Sequence, residues 1–272
     1  MTLGTLSTRG SSQPRIGWPT WVRALWHNAF VYSKTWRSSI VTGFLEPFMY
    51  LVAMGVGIGS LVNKGSGGVD GVPYLNFVAP GLLAATMLQI GVSDSSFSVL
   101  GGLKWARTYF AAIATPLNYH DVLIGHLAWI AIRCSAVATA FVAVMGVFGL
   151  LASPLAILAI PAAALSALAI SSPTTAIATR QDDHLSMTVV FRLGVLPMFL
   201  FAGVFFPLSR LPYWLEVIVQ ILPLTSGVTL CRALTLHQGL HPSLFLNIGY
   251  MLLWFGVGYY FSLTGFRKRL VI

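Results

Sequence analysis

Charged side chains are scarce in this sequence: only 8% of its 272 residues are Asp, Glu, Lys or Arg, whereas 56% are hydrophobic. Soluble domains usually carry about 25% charged residues. A chain with so few charges cannot cover its surface in water, and a lipid bilayer is the solvent that suits it. The apolar runs are continuous rather than alternating, so the sequence predicts membrane-spanning α-helices and not a β-barrel.

Motifs of catalysis, metal binding and nucleotide binding are also missing. The two cysteines, Cys134 and Cys231, lack metal-ligand spacing and are expected to be free thiols. The sequence contains no Gly-x-x-x-x-Gly-Lys-Ser/Thr, no Gly-x-Ser-x-Gly and no His-Glu-x-x-His. The Asp-Asp-His cluster at 182–184 is typical of a solvated turn. We therefore expect no catalytic residue, cofactor or metal ion in this chain.

The net charge of +9 comes from Lys and Arg residues placed at the ends of apolar runs. That placement indicates membrane orientation rather than nucleic-acid binding. With six spans, one side of the membrane holds Arg9, Arg15, Arg23, Lys34, Arg37, Lys104, Arg107, Arg180, Arg267, Lys268 and Arg269, and the other holds Lys64, Arg210 and Arg232. Because basic residues collect in cytoplasmic loops, the sequence predicts a bacterial inner-membrane protein with both termini in the cytoplasm.

Six apolar segments can each supply the roughly 20 residues that a 30 Å hydrocarbon core requires. They form a single transmembrane domain, 38–272, which follows an N-terminal tail and amphipathic helix at 1–37. The predicted spans are 38–62, 74–93, 119–151, 154–179, 187–208 and 243–266. The expected fold class is an all-α integral membrane protein.

The segment 18–37 is predicted to be an amphipathic helix before the first span. At 100° per residue, Arg23, His27 and Lys34 fall opposite an apolar and aromatic face. That face contains Trp18, Val22, Leu25, Tyr32 and Trp36. Basic residues opposite a Trp/Tyr stripe favour a helix lying in the bilayer interface. A soluble helix packed on a partner is the alternative.

A short apolar stretch between the last two spans cannot cross the membrane. Pro212 opens it and Pro223 closes it, and its apolar side chains, including Trp214, repeat with helical spacing. About ten helical residues reach only ~15 Å, half of the hydrocarbon core. We expect this stretch and the apolar piece 224–236 to form external re-entrant helices; the alternative for the first stretch is a helix lying in the membrane interface.

Four charged residues lie in or beside the predicted spans: Glu46, Asp94, Arg133 and Arg192. Charges at this depth usually pair with one another or line a polar path. Three interpretations stay open: the arginines extend to the cytoplasmic face, they pair with Glu46 or Asp94, or they line a route for a polar substrate.

The loop 97–121 is too polar to span the membrane and too apolar for a flexible linker. It contains Lys104, Trp105 and Arg107, followed by Thr115-Pro116, which suit an N-cap and a first helical position. A short helix presenting the aromatic and basic side chains would dock a soluble partner. The alternative places Trp105 in the aromatic belt of the membrane interface.

Several short motifs follow one another along most of the chain. They are Glu46-Pro47 before a glycine-rich span, Tyr74-Leu-Asn-Phe-Val-Ala-Pro-Gly-Leu, Ala114-Thr-Pro-Leu with Asp121 and Gly125, Pro197-Met-Phe-Leu-Phe-Ala-Gly-Val-Phe-Phe-Pro207, Leu211-Pro-Tyr-Trp214, Leu222-Pro-Leu-Thr225 and Arg232-Ala-Leu. Each motif is loose, but their order and spacing are fairly specific. Together they resemble the permease subunits of type-2 ABC exporters, the branch that includes nodulation lipo-oligosaccharide, anthracycline-resistance and polysaccharide exporters.

The resemblance implies two permease copies, as a homodimer or a related heterodimer, with two separate ATP-binding-cassette ATPase subunits that bind ATP and Mg²⁺. It also implies a coupling helix in the second cytoplasmic loop and a hydrophobic or amphiphilic substrate such as a drug, lipid or glycolipid. Two positions depart from the pattern: His126 stands where the family often has Glu, and Ser226 where it often has His. No family role is carried to either residue.

A self-sufficient secondary transporter or a small membrane enzyme is the competing class of function. Secondary transporters often contain inverted repeats and deep carboxylates. The two halves of this sequence show no repeat, and no polar cluster suits an enzyme at a membrane face. A neighbouring gene for an ATP-binding-cassette protein would decide between the two classes.

Overall fold

The computed structural model describes residues 19–34, 45, 48–181, 184–236 and 241–270. Within these ranges the chain consists of helices and connecting turns, with a β-bridge between Val69 and Val72. The predicted all-α membrane fold is confirmed. Among the residues singled out from the sequence, Trp18, Trp36 and Glu46 lie outside the described ranges, and so does the pair 182–183.

Five helices of the described chain are long and apolar enough to cross a membrane. They are α2 (Phe48–Gly65), α3 (Tyr74–Trp105), α5 (Tyr119–Val147), α6 (Pro154–Ala178) and α10 (Pro242–Leu270). The remaining described helices are shorter. Helix α1 (Thr20–Ser33) precedes α2, and helix α4 (Thr108–Ile113) follows α3. Helix α7 (Leu185–Phe201) and the bent pair α8 (Tyr213–Gln220) and α9 (Pro223–Thr235) follow α6. Counting the bent pair as one span gives six.

Helix α3 continues beyond the predicted end at residue 93, and Asp94, the first residue of the extension, pairs with Arg133 of α5. Its extension contains two π-helical turns, Asp94–Ser98 and Gly101–Trp105. The Ser96 hydroxyl donates a hydrogen bond of 2.6 Å to the Val92 carbonyl oxygen. Three apolar side chains of the extension are buried: Val99, Leu100 and Leu103. Single π-helical turns within α-helices are frequent at functional sites.

Helix α7 ends before the limit predicted for the fifth span, 187–208. It contains a π-helical turn, Phe191–Val195, and stops at Phe201. Gly203 has a φ of 80°, a left-handed conformation that residues with a Cβ rarely adopt. The chain therefore leaves the helix at this glycine, and α7 is shorter than the five long helices.

Helices α8 and α9 meet at an angle of 84°. Pro212 stands immediately before α8, and Pro223 is the first residue of α9, where a missing backbone N–H costs least. Helix α9 is buried along most of its length, whereas Trp214 on α8 is 64% exposed. The bend lies at Pro223, where the first of the two short helices was predicted to close.

Helix α6 is at the centre of the bundle and contacts α3, α5, α9 and α10. Its buried side chains are mostly alanine, serine and threonine. Glycines of the neighbouring helices stand against its hydroxyl groups, in the pairs Gly91 with Ser171, Gly227 with Ser166, Gly258 with Ser172 and Gly265 with Thr179. A Cβ at any of these glycines would collide with the hydroxyl. Such small residues permit the close approach that stabilises helix pairs in membranes.

Contacts between helix termini define the two ends of the bundle. At one end, Phe266 of α10 contacts the ring of Tyr109 in α4, with centroids 5.4 Å apart. Arg269 donates a hydrogen bond of 2.9 Å to the Gln181 carbonyl oxygen at the same end. Helix α1 also lies there, against the first turns of α5, so we call this the α1 end. The opposite end holds α8, α9 and the turn between α5 and α6.

Candidate functional site: a chamber at the α1 end

Helix α1 packs directly on α5, and a glycine permits the short distance between them. A Cβ at Gly125 would lie 2.6 Å from the Ala24 Cβ and 3.0 Å from the Trp21 carbonyl oxygen. Further along, Tyr32 contacts the Trp129 ring edge-on, with centroids 5.2 Å apart. The predicted apolar face of this helix is therefore used partly for packing on α5. The other described residues of that apolar face, Val22 and Leu25, are half-buried.

A chamber of about 730 Å³ opens between α1, the last turns of α3, α4 and the first half of α5. Its polar lining residues are Arg23, His27, Asn28, Tyr32, Asp94, Ser98, Thr108, Tyr109, Thr115, His126, Trp129 and Arg133. Two of the basic residues predicted for the polar face of α1, Arg23 and His27, thus line the chamber. Sequence patterns did not indicate the chamber, because they do not show that α1 docks on α5.

Arg133 forms an ion pair with Asp94 in the chamber wall. Its Nη1 donates hydrogen bonds to both carboxylate oxygens, at 2.5 and 2.6 Å. The guanidinium also lies 5.7 Å from the centroid of the Tyr32 ring, a cation–π geometry. Pairing with Asp94 was one of three interpretations left open by the sequence, and it is the one that the structure supports for Arg133. The contact joins α3, α5 and α1.

A second cavity, of about 470 Å³, lies beyond this ion pair. It is lined by Gln89, Ile90, Ser93 and Phe97 of α3 and by Thr188, Phe191 and Arg192 of α7, together with Asp94 and Arg133. Arg192 is exposed, and no carboxylate pairs with it among the residues that the structure describes. The Asp94–Arg133 pair therefore separates a chamber beside α1 from a cavity beside α7.

His126 lies in the wall of the chamber and is only 4% exposed. Within the described part of the chain, its Nε2 has no hydrogen-bond partner, and neither has the buried Nε of Arg133. Burial raises the pKa of the Tyr109 phenol, which therefore stays neutral at physiological pH. Among the described residues that line the chamber, two are arginines, Arg23 and Arg133, and one is a carboxylate, Asp94.

The segment 104–116 borders the chamber and carries the predicted docking residues. Lys104 and Trp105 form the last turn of α3, and Arg107 has a left-handed φ of 48° immediately before α4. The residues on both sides of α4 are exposed, with Trp105 at 68%. The aromatic and basic side chains are therefore accessible, but they precede the short helix instead of belonging to it.

The helix start predicted at Thr115-Pro116 is wrong. The Thr115 hydroxyl donates a hydrogen bond of 2.5 Å to the Ala112 carbonyl oxygen, so this pair belongs to the turn after α4. Helix α5 begins after Asn118, whose N–H donates to the Asp121 carboxylate at 3.2 Å. An N-cap residue supported by an acidic side chain three positions later satisfies more terminal N–H groups than Thr-Pro does.

Arg232 is a structural residue whose contacts the sequence did not indicate. Its guanidinium donates hydrogen bonds to the Phe77 carbonyl oxygen at 3.2 Å and to the Gly203 carbonyl oxygen at 2.9 Å. It also lies 3.8 Å from the centroid of the Phe77 ring. One side chain thus links α9 to α3 and to the turn that ends α7. The sequence feature that could have indicated these contacts is the position of Arg232 as a lone cation within an apolar helix.

Both cysteines, Cys134 and Cys231, are buried free thiols, as predicted. Among the described residues no group of three or more His, Cys, Asp or Glu side chains gathers in a metal-binding arrangement.

Comparison with known proteins matches residues 21–236 to the family described as ABC-2 type transporter. Nodulation protein J of Rhizobium meliloti (strain 1021) is 27% identical over 263 residues, covering 95% of this chain and 96% of the relative. Nodulation protein J of Rhizobium leguminosarum bv. viciae is 28% identical over 254 residues, covering 92% and 95%. The putative transport permease ycf38 of Cyanophora paradoxa is 26% identical over 250 residues, covering 87% and 83%.

The long apolar helices agree with a multi-pass membrane protein. Because the family match extends over most of its length, the chain belongs to the ABC-2 type transporter family. The resemblance inferred from the sequence motifs is thereby confirmed, and the chain is a membrane transport permease.

Proposed function

We propose that this chain is the permease subunit of an ATP-driven exporter in the bacterial inner membrane. Two copies assemble with two separate ATP-binding-cassette ATPase subunits and move a hydrophobic or amphiphilic substrate out of the cytoplasm. The observation that carries the proposal is membership of the ABC-2 type transporter family in a chain that contains no phosphate-binding loop. The energy for transport must then come from a partner that binds ATP and Mg²⁺.

The distribution of basic residues supports a cytoplasmic location for the α1 end. The described Lys and Arg residues at or near this end are Arg23, Lys34, Lys104, Arg107, Arg180, Arg267, Lys268 and Arg269. Those at the opposite end are Lys64, Arg210 and Arg232. Cytoplasmic loops of membrane proteins carry the excess of Lys and Arg. Both termini would then be cytoplasmic.

The segment 104–116 is the proposed contact with the ATPase. Trp105 offers apolar area, and Lys104 and Arg107 offer charges at the rim; buried aromatic and Arg side chains are the usual anchors of protein interfaces. The segment connects α3 directly to α5. A displacement applied by the partner would therefore reach two spans and the chamber between them.

Apolar surface on α2 and α7 supports contact with lipid or with a second copy. Val56 and Leu61 of α2 are exposed, and so are Leu193 and Leu200 of α7. Such residues are stable only against hydrocarbon or another apolar surface. In the proposed exporter, these helices supply the surfaces for a second permease and for the lipid around it.

The coupling contact is tested by changing Trp105 and Arg107 to Ala in one variant. The chain is co-expressed with a candidate ATP-binding-cassette ATPase from the same genome, and affinity purification measures how much ATPase is retained. We expect the variant to insert normally but to lose most of the retained ATPase, because the loss of an aromatic anchor and a rim charge weakens an interface by about 2 kcal/mol or more. Trp214→Ala, an exposed tryptophan at the opposite end, is the matched control.

Equal retention of the ATPase by the wild type and the double variant would remove the coupling role from this segment. Transport by the purified chain alone in vesicles without any ATPase would overturn the exporter proposal and favour a secondary transporter. Robust ATP hydrolysis by the chain alone, free of contaminating ATPase, would also contradict the proposal.

A further inference from the structure

The chamber at the α1 end has an excess of positive charge. Arg23 and Arg133 line it, whereas Asp94 is the only carboxylate among its lining residues. Asp94 is already engaged, since both of its oxygens accept hydrogen bonds from Arg133. No carboxylate pairs with Arg23 in the described part of the chain. The chamber is therefore electrostatically complementary to an anionic group.

Two buried polar atoms in the same wall lack partners. His126 Nε2 has no hydrogen bond within the described chain, although the side chain is almost fully buried. The Nε of Arg133 is also buried and unpaired there. A buried polar group without a partner is unfavourable, so such groups usually mark a position where another molecule supplies the missing hydrogen bonds. An imidazole and a guanidinium can both donate to anionic oxygens.

We infer that this chamber binds the phosphorylated headgroup of a membrane lipid, with Arg23 and His126 donating to the phosphate and Arg133 donating to the polar group attached to it. A tetrahedral phosphate presents several strong acceptor oxygens, which match donors that approach from two helices. Arg23 approaches from α1, whereas His126 and Arg133 approach from α5. The bound lipid would tie α1 to α5 beside the ion pair with Asp94.

The dimensions of the chamber favour a headgroup over a free ion. His126 and Arg133 are two helical turns apart, which corresponds to about 10 Å along α5. The volume of about 730 Å³ lies within the range of small-molecule sites, about 300–1,000 Å³. A phosphate with its attached polar group fills such a space better than inorganic phosphate alone.

The position of α1 places the chamber where lipid headgroups lie. Trp26 and Phe30 of α1 are 66% and 61% exposed. Exposed aromatic side chains on a short basic helix are typical of the membrane interface. The chamber between this helix and α5 would then open at headgroup depth, and the acyl chains of the lipid would stay in the bilayer. Its assignment to the cytoplasmic leaflet rests on the proposed orientation.

The test measures lipid binding by the full-length chain purified in a neutral detergent. Native mass spectrometry counts retained lipid, and thermal unfolding reports stabilisation, after addition of phosphatidylglycerol, dioleoylglycerol or inorganic phosphate. A ligand that binds the folded state raises its melting temperature. We expect phosphatidylglycerol to be retained and to stabilise the chain, and dioleoylglycerol, which has similar tails but no phosphate, to do neither.

Three variants locate the site. Arg23→Gln and His126→Phe each remove one contact to the phosphate, and we expect each to weaken phosphatidylglycerol binding about tenfold or more. Ala111→Trp fills the chamber from an exposed position on α4 without changing its charges, so we expect it to block binding. Arg210→Gln removes an exposed charge at the opposite end and should bind lipid as the wild type does.

Several results would overturn the inference. Undiminished binding by Ala111→Trp, or an equal loss in Arg210→Gln, would show that the lipid binds elsewhere. Stabilisation by inorganic phosphate as large as that by phosphatidylglycerol would replace the lipid with a free anion. Circular dichroism identifies any variant that fails to fold. Because the assay contains no ATPase, its failure would leave the coupling proposal untouched, and failure of the coupling test would leave lipid binding untouched.

Discussion

At the scale of single residues, the Asp94–Arg133 ion pair determines the shape of the α1 end. One partner lies on α3 and the other on α5, and the ring of Tyr32 on α1 covers the guanidinium. Either charge alone would be unfavourable, because both side chains are largely buried and would lose their ion-pair partner. The pair is therefore expected to act as a unit that holds three helices together.

A double-mutant cycle tests that unit. Asp94→Asn leaves Arg133 without its ion-pair partner, and Arg133→Gln leaves Asp94 without its own. We expect each to lower the free energy of unfolding by about 1–3 kcal/mol, and the double variant to lose less than the sum of the two. Thermal unfolding of the purified chain in detergent measures these changes. Arg192→Gln, at an arginine with no described ion-pair partner, should change stability by less than about 0.5 kcal/mol.

Losses that simply add in the double variant would show that the two charges do not stabilise each other. The ion pair would then contribute no stability to the fold. The interpretation of Arg133 as a residue that lines a polar path would regain support.

At the scale of elements, the docking of α1 on α5 creates the chamber. The contact depends on Gly125, because any side chain there would meet the Cβ of Ala24, an atom that cannot rotate away. To accommodate it, the whole of α1 would have to move outward. Since α1 supplies Arg23, His27 and Tyr32 to the chamber, such a shift would change its lining.

Gly125→Ala and Gly146→Ala form a matched pair of substitutions on the same helix. A Cβ at Gly125 would lie 2.6 Å from another carbon, whereas at Gly146 the nearest atom is Leu151 Cδ1 at an ordinary 3.5 Å. We expect Gly125→Ala to destabilise the fold by about 1–3 kcal/mol through overpacking. Gly146→Ala should be neutral or stabilise it by up to about 1 kcal/mol, because alanine favours the helix.

Hydrogen exchange of α1 measures whether the helix has moved. We expect faster exchange across Thr20–Ser33 in Gly125→Ala and an unchanged rate in Gly146→Ala. If both variants leave α1 equally protected, the helix is held by contacts other than its close approach to α5.

At the scale of the whole molecule, the two ends of the bundle differ in their basic residues. The α1 end carries the chamber, the segment 104–116 and the basic tail of α10. The opposite end carries the bent pair α8 and α9, which Arg232 ties to α3. An exporter driven by a soluble ATPase needs this asymmetry, because the energy enters from one side only.

Cysteine labelling in whole cells tests the orientation. Lys64→Cys and Lys104→Cys are introduced separately into a chain whose Cys134 and Cys231 are replaced by Ala. Both lysines are exposed and lie at opposite ends of the bundle. We expect an impermeant thiol reagent to label Lys64→Cys from outside and to label Lys104→Cys only after the membrane is opened. The reverse pattern would contradict the proposed orientation.

Several features of this protein follow from the sequence alone, because they depend on residues that are close together in the chain. Mean hydropathy over successive windows predicts the long helices, and the prolines at 212 and 223 predict where the short helices begin and bend. The order of the family motifs was enough to indicate an ABC-2 permease. The start of α5 at Tyr119 is also local and agrees with the predicted start of the third span, whereas the short helix start predicted at Thr115-Pro116 is a turn.

Only the tertiary structure decided which distant residues meet. Arg133 had two candidate partners, and its pairing with Asp94 depends on how α3 packs beside α5. No window of sequence predicts the early end of α7, after which Arg232 donates a hydrogen bond to the Gly203 carbonyl oxygen. The chamber between α1 and α5 cannot be predicted from a sequence window either. The physical reason is that hydropathy is a sum over neighbours in the chain, whereas an ion pair or a cavity depends on side chains that only packing brings together.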